Sequence, residues 1–280
     1  MKLSLGFSPC PNDTFIFDAL IHHKIDTEGL TFEVCFDDVE TLNQKAFSAE
    51  LDITKLSYHA FAHVIDKYVL LSAGSALGFG VGPLLISKQK VIDIADSNLR
   101  VGIPGKYTTA NFLLSLAYPQ LKNKVQIVFS GIEQKLLNDE IDLGLIIHEN
   151  RFTYLEKGLH KVMDLGEYWE QETGGPIPLG GIMVKRSLPE DIKLKVQRVL
   201  RKSVEFAFAN PKSGLEFIKL HAQEMSEEIM YKHINLYVNS YSLDLGVDGR
   251  KAVSLLFKKA VDLGLIDELR KDIFLQDKLT

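Results

Sequence analysis

Two cysteines, Cys10 and Cys35, in 280 residues are too few for a disulfide framework, so a reducing compartment is expected. No run of eighteen or more apolar residues occurs, and no membrane span is expected. A secretory signal needs a basic start, a long apolar core and a small-residue cleavage site. Here Pro9 breaks the first apolar stretch, and Cys10 follows Ser-Pro, a poor context for lipoprotein processing. A basic surplus is missing too: 32 Lys and Arg stand against 37 Asp and Glu, a net charge of −5. The basic residues are scattered, and Arg198, Arg201 and Lys202 read as the solvated face of one helix. Phosphate contacts need clustered Lys and Arg, so a nucleic-acid surface is not expected. Repeats, low-complexity tracts and flexible linkers are absent as well. A cytoplasmic protein that binds neither membrane nor nucleic acid is expected.

What is present is an ordinary globular composition, 46% hydrophobic and 25% charged, at a length that suggests about two domains. The start is the most informative stretch. Lys2-Leu3-Ser4-Leu5-Gly6-Phe7 alternates polar and apolar residues, the period of a half-buried strand. Pro9 and Pro11 halt it, and Asn12 is expected to cap a helix whose apolar face begins with Phe15, Ile16 and Ala19. The loop between them presents Ser8, Cys10, Asn12, Asp13 and Thr14 at a strand's carboxyl end, where open α/β sheets bind ligands.

Strands and helices alternate through most of the chain, which predicts a largely parallel sheet with crossover helices. Residues 30–36 read as a second strand. Asp37 with Glu40 reads as the cap of a helix carrying Val39, Leu42, Ala46 and Phe47 on one side. A strand over 51–56, a helix over 57–66 and a strand over 68–72 follow. Gly74, Gly78, Gly80 and Gly82 then mark a loop before a strand at 83–87. A second unit starts near Arg100. Its first strand, 100–103, runs through Pro104-Gly105-Lys106-Tyr107 into a helix opening at Thr108-Thr109. A strand at 125–129, a helix at 132–137 and a strand at 141–147 come next. Residues 180–184 form a returning strand, and from Pro189 the chain is mostly helical, with Asn210-Pro211 and Ser226 as helix starts. The crossings near 86–90 and 183–186 predict two α/β lobes. Residues 1–88 and 185–280 form a discontinuous first lobe and residues 89–184 an inserted second one. This organisation resembles the type II periplasmic-binding-protein fold, in which a ligand lies in a cleft between hinged lobes. Fold alone does not fix function.

Four strand ends are expected at that cleft: residues 9–12 and Lys55-Leu56-Ser57 from the first lobe, residues 106–109 and His148 from the second. Ser57 and Thr108-Thr109 each open a helix directly after a strand. Free backbone N–H groups, a positive dipole end and hydroxyl donors suit them to a carboxylate, so an acidic protein needs no basic patch. Each alone reads as an N-cap; facing each other they read as contacts that also cap. His148 ends the apolar run Leu143-Gly144-Leu145-Ile146-Ile147. An imidazole, with an ordinary pKa of about 6.5, suits a general base there.

Other candidates carry blander readings. His59 and His63 share a helix face at a zinc-chelating spacing, but Ala60 stands where a zincin has its glutamate and no third ligand is evident, so a structural pair is expected and no metal site. Cys10, without an assigned base, reads as a small side chain lining its loop. His22 and His23 suit a helix end. Tyr168 and Trp169 fit either stacking on an aromatic ligand or packing.

Taken together, the motifs resemble the 1,4-dihydroxy-6-naphthoate synthase family of the futalosine route to menaquinone. The residues that carry the resemblance are Gly6-Phe7-Ser8-Pro9-Cys10-Pro11-Asn12-Asp13-Thr14, Asp38-Val39-Glu40-Thr41-Leu42-Asn43 and Thr54-Lys55-Leu56-Ser57-Tyr58. Further along they are Gly80-Val81-Gly82-Pro83, Pro104-Gly105 with Thr108-Thr109, Gly144-Leu145-Ile146-Ile147-His148-Glu149 with Arg151-Phe152-Thr153, and Pro178-Leu179-Gly180. The resemblance implies a cytoplasmic carbon–carbon lyase acting, without a cofactor, on cyclic dehypoxanthinylfutalosine to release 1,4-dihydroxy-6-naphthoate and dihydroxyacetone. It also implies that His148 is the proton acceptor and that Lys55-Leu56-Ser57 and Thr108-Thr109 bind the substrate, a small molecule with a carboxylate. The competing expectation is a cytoplasmic small-molecule-binding protein of the same fold that turns nothing over.

Overall fold

A computed structural model describes residues 1–222, 226–266 and 272–276. The alternating start is β1 (Lys2–Phe7), followed by α1 (Pro11–Ile21), β2 (Thr31–Phe36), α2 (Val39–Phe47), β3 (Ile53–Ser57), α3 (Tyr58–Ala62), β4 (Tyr68–Leu70) and β5 (Ala76–Gly78). Then come β6 (Leu84–Ser87), β7 (Val101–Ile103), α4 (Thr109–Ala117), β8 (Lys124–Gln126), α5 (Ile132–Leu137), β9 (Leu143–Ile146), α6 (Asn150–Thr153), β10 (His160–Asp164) and α7 (Leu165–Thr173). The last stretch is β11 (Ile177–Lys185), α8 (Glu190–Ala209), α9 (Leu215–His221), α10 (Glu227–Tyr237), α11 (Ser240–Leu243) and α12 (Gly246–Asp262). Among the described residues no helix is long and apolar enough to cross a membrane.

The chain divides into two compact α/β units. One holds Met1–Gly78 together with the described residues from Pro178 onward, and the other holds Phe79–Ile177. Both changeovers fall earlier than the expected boundaries at 88 and 185. Pairing explains the shift: β6 joins β9 and β10 in the second unit's sheet, whereas β11 inserts between β3 and β4 in the first.

Each unit has a mixed sheet, not the largely parallel one expected. In the first, the order is β2-β1-β3-β11-β4, with β5 paired to β11. β1 runs parallel to β2 and β3, while β11 runs antiparallel to β3 and β4. In the second, the order is β10-β6-β9-β7-β8, with β7 parallel to β8 and β9 but β6 antiparallel to β9 and β10. Parallel pairing holds where a helix makes the crossover. A strand that arrives by another route is free to run the other way.

The first core packs Leu3, Leu5, Phe7, Ile53, Ile182 and Val184 of the sheet against Phe17 and Leu20 of α1 and Val199, Leu200 and Val204 of α8. The second packs Leu84, Ile86 and Ile146 against Ile132 and Leu136 of α5.

Local helix signals shift by a residue or two. Cys10, not Asn12, is the N-cap of α1, because Pro11 takes the first helical position, where its missing N–H costs nothing. Asp38, not Asp37, caps α2, accepting from the backbone N–H groups of Glu40 and Thr41. Asp37 instead accepts from Lys45 Nζ at 2.5 Å and from the Cys35 thiol at 3.1 Å. Burial, together with that carboxylate, pushes the Cys35 thiol pKa up. Asn210-Pro211 ends α8, where a helix start was expected, and α9 opens at Leu215.

Candidate active site

In each unit, polar residues gather at the carboxyl ends of two neighbouring parallel strands. In the first unit β1 and β3 lie side by side, with Leu5 opposite Ile53 and Gly6 opposite Thr54. The chain leaves β1 into Ser8-Pro9-Cys10 and leaves β3 at Ser57, so the two segments share one edge of the sheet. Ser57 is 4% exposed and does not cap α3 through its side chain. Instead Asn43 of α2 holds it twice: the Ser57 N–H donates to Asn43 Oδ1 at 3.0 Å, and Asn43 Nδ2 donates to Ser57 Oγ at 3.3 Å.

Lys55 is turned inward. Its ammonium donates to Asp13 Oδ1 at 2.9 Å and to the Gly74 carbonyl at 3.3 Å, with 9% of the side chain exposed. Asp13 also accepts from Asn12 Nδ2 at 2.9 Å and Ser8 Oγ at 2.8 Å. The Asn12 amide nitrogen thereby faces the carboxylate, and its oxygen meets His233 Nε2 at 2.8 Å. That contact requires Nε2 to carry a hydrogen. Leu56, wholly buried, offers the ligand side no side-chain group; its backbone pairs with Gly181 of β11.

In the second unit β7 and β9 are the neighbouring pair, with Val101 opposite Leu143 and Gly102 opposite Gly144. The 104–109 turn follows one and His148 the other. Sequence reading therefore placed Thr108, Thr109 and His148 at one edge of one sheet, and the structure brings them there. Thr108 caps α4: its Oγ1 accepts from the Asn111 N–H at 3.2 Å and donates to the Gly105 carbonyl at 2.9 Å. Asn111 Nδ2 closes the turn on the Lys106 carbonyl at 2.8 Å, while Lys124 Nζ donates to Asn111 Oδ1 at 2.8 Å and Ser115 Oγ at 2.7 Å. Burial, with a smaller contribution from the charge of Lys122, pulls the Lys124 pKa down to about 8. Thr109, 3% exposed, is the first residue of α4.

His148 is half-buried and sits in the left-handed region, φ +59°, which a residue with a Cβ enters only at a cost. Its ring meets Phe129 edge-on, with centroids 4.9 Å apart and planes at 61°. An imidazole held against an aromatic edge at a strand's end is suited to exchanging a proton with a bound molecule.

The remaining histidines and aromatics have structural places. His59 Nε2 of α3 and the Nε2 of His63, which caps its end, lie 3.5 Å apart. His22 Nδ1 meets Asp18 Oδ1 at 2.9 Å, and His221 stacks on Phe36. Trp169 is 1% exposed and donates its indole N–H to the Pro176 carbonyl at 3.1 Å, so it packs the second unit's interior.

Asn43 was quoted from sequence only as part of a motif and given no role, although its signal was there. It lies among Val39, Leu42, Ala46 and Phe47 on the apolar side of α2, and a polar residue buried on such a face needs partners. Arg151 was quoted only as part of a motif; it donates to the Gly82 carbonyl and to Asp164 Oδ2.

Residues 3–262 match a family model described as menaquinone biosynthesis. A protein named 1,4-dihydroxy-6-naphtoate synthase from Thermus thermophilus is 45% identical over 272 residues, which are 97% of this chain and 98% of the relative. One of the same name from Streptomyces coelicolor is 39% identical, covering 96% of each. A crystal structure from Archaeoglobus fulgidus superposes with a TM-score of 0.89 at 37% identity, covering 95% of this chain and 98% of that one. A Candida albicans protein described as having the generic periplasmic binding protein fold matches with a TM-score of 0.68 at 15% identity, covering 99% of this chain and 98% of that one, a likeness of fold. The two mixed α/β units are those of a periplasmic-binding-protein-like fold, and the chain belongs to the menaquinone biosynthesis family.

Proposed function

We propose that this chain is a carbon–carbon lyase that converts cyclic dehypoxanthinylfutalosine to 1,4-dihydroxy-6-naphthoate, releasing dihydroxyacetone, and that it works in the cytoplasm. Near-full-length similarity to two proteins named for that product supports the reaction. The observation that carries the residue assignment is the placement of His148 at the end of β9, half-buried, with a left-handed backbone and its ring against Phe129. In this reading His148 accepts a substrate proton. The electron pair left behind drives cleavage of the carbon–carbon bond, and aromatisation of the second ring makes the step favourable. Thr108, Thr109 and the Lys55-Leu56-Ser57 segment bind the substrate, with backbone N–H groups and hydroxyls suited to its carboxylate. The inward turn of Lys55, the burial of Leu56 and the pairing of the segment's backbone with β11 and Asn43 leave the Ser57 hydroxyl as its contacting group.

Purified protein incubated with cyclic dehypoxanthinylfutalosine should form the naphthoate, detected by chromatography. The His148→Ala variant should bind substrate but lose on the order of 10²–10⁴ in turnover. Retention of more than about a tenth of wild-type turnover, well above what loss of such a base allows, removes His148 from the role. A non-catalytic binding protein, which the fold likeness alone favours, would show affinity for the substrate with no product.

A further inference from the structure

The short turn that carries His148 is anchored from two directions. On one side Asn150, 8% exposed, donates its Nδ2 to Glu133 Oε2 of α5; Glu133, 3% exposed, is also paired with Lys157 Nζ at 2.6 Å. On the other side the Arg151 guanidinium donates to the Gly82 carbonyl and, at 2.7 Å, to Asp164 Oδ2. Asp164, 5% exposed, is itself fixed, because its Oδ1 caps α7 by accepting from the Gly166 and Glu167 N–H groups at 2.8 and 3.2 Å. Gly82 is fixed too: its backbone packs on that of Gly166 so closely that a Cβ there would lie 2.2 Å from Gly166 Cα.

A left-handed residue with a Cβ persists only where its surroundings over-determine it. Here two charge-assisted anchors, one buried and one partly buried, follow His148 by two and three residues. Neither touches the imidazole. Their contacts bind the backbone of the turn to α5 on one side and to the start of α7 on the other.

We propose that Asn150 and Arg151 are positioning residues, which hold the His148 turn left-handed and so keep the imidazole in its reactive place beside Phe129. The proposal rests on His148 being the base. With either anchor cut, the turn relaxes toward the ordinary right-handed region and the ring shifts. A misplacement of about 1 Å at a reacting group can lower the rate roughly a hundredfold. Binding groups at the start of α4 belong to a different turn and stay where they are.

The test is steady-state kinetics on cyclic dehypoxanthinylfutalosine for Arg151→Gln, Asp164→Asn and Asn150→Ala, each also combined with His148→Ala. Each single variant is expected to lower kcat about tenfold to a hundredfold, with KM within about twofold. In the His148→Ala background the same substitutions should leave the residual rate unchanged, since there is no ring left to place. A raised KM with kcat retained overturns the proposal. So does an equal fall of the residual rate without the imidazole, which makes the anchors general supports of the fold. Should Arg151→Gln fail to fold by circular dichroism, Asp164→Asn decides, because its amide oxygen keeps the cap of α7 while its NH2, a donor, replaces the charged acceptor facing Arg151. Near-wild-type turnover in His148→Ala alone defeats the base assignment instead, a result distinguishable from additivity of the anchors.

Discussion

The loop after β1 and the turn after β9 look alike in sequence, each a polar cluster at the carboxyl end of a parallel strand, yet the structure builds them on opposite terms. In the first, Asp13 is 2% exposed and accepts from Lys55, Asn12 and Ser8, while Asn12 passes its oxygen to His233. The carboxylate is held from three sides, and α1 starts with regular backbone. In the second, His148 is half-buried on a left-handed backbone, and its neighbours Asn150 and Arg151 make charge-assisted contacts of their own. The first cluster is closed on itself by an ion pair and hydrogen bonds, whereas in the reading proposed above the second supplies the base.

The sharpest way to break this contrast is to remove Asp13. Asp13→Ala leaves Lys55, 9% exposed, with its charge uncompensated, and should cost about 3–5 kcal/mol of stability in urea unfolding. His148→Ala removes a half-buried ring and should cost less, about 1 kcal/mol, the ordinary size of a point-substitution effect. A loss below about 1 kcal/mol for Asp13→Ala, far short of what breaking a buried pair costs, would mean that the ion pair does not hold the first cluster together.

How far the sequence foretold this contrast depends on how local each signal is. The alternation of Lys2 to Phe7 predicted β1 to the residue, because side-chain period is a property of six consecutive positions. The apolar run that ends before His148 likewise placed that residue at a strand's end. Strand direction was not legible: whether β11 runs with β3 or against it is decided by the route the chain takes between them. The unit boundaries failed for the same reason, since Leu84-Leu85-Ile86 reads as a strand in either sheet until β9 is known to be its partner. Arg151 shows the limit most clearly. Its acceptors lie 69 residues back and 13 ahead, and nothing in Arg151-Phe152-Thr153 names Gly82 or Asp164.

A smaller effect sharpens the comparison within the second unit. Thr108 and Thr109 were expected to act alike, but Thr108 is a working cap and Thr109 is not. Thr108→Val should lose about 1 kcal/mol of stability. Thr109→Val, which removes the hydroxyl proposed to meet the substrate carboxylate, should weaken binding by about one decade, the equivalent of roughly 1.5 kcal/mol. Calorimetry and thermal unfolding of both variants separate the roles. Equal affinities in Thr109→Val and wild type would remove that hydroxyl from the binding site.

The smallest effect tests the backbone itself, free of the chemistry. At His148, φ +59°, a Cβ crowds the following carbonyl, a cost of roughly 1–2 kcal/mol for an L-residue that glycine does not bear. His148→Gly and His148→Ala both lack the ring, so a comparison between them isolates that cost. The glycine variant should be the more stable by about 1 kcal/mol, after allowance for its greater freedom when unfolded. At Asn12, in the first turn of α1, the same pair should invert: both variants lose the His233 contact, and the alanine variant should be more stable by about 0.5–1 kcal/mol. Urea titrations of the four variants read the sign directly. If alanine wins at both positions, the His148 turn is not held left-handed in solution, and the strain that distinguishes the second cluster from the first is absent.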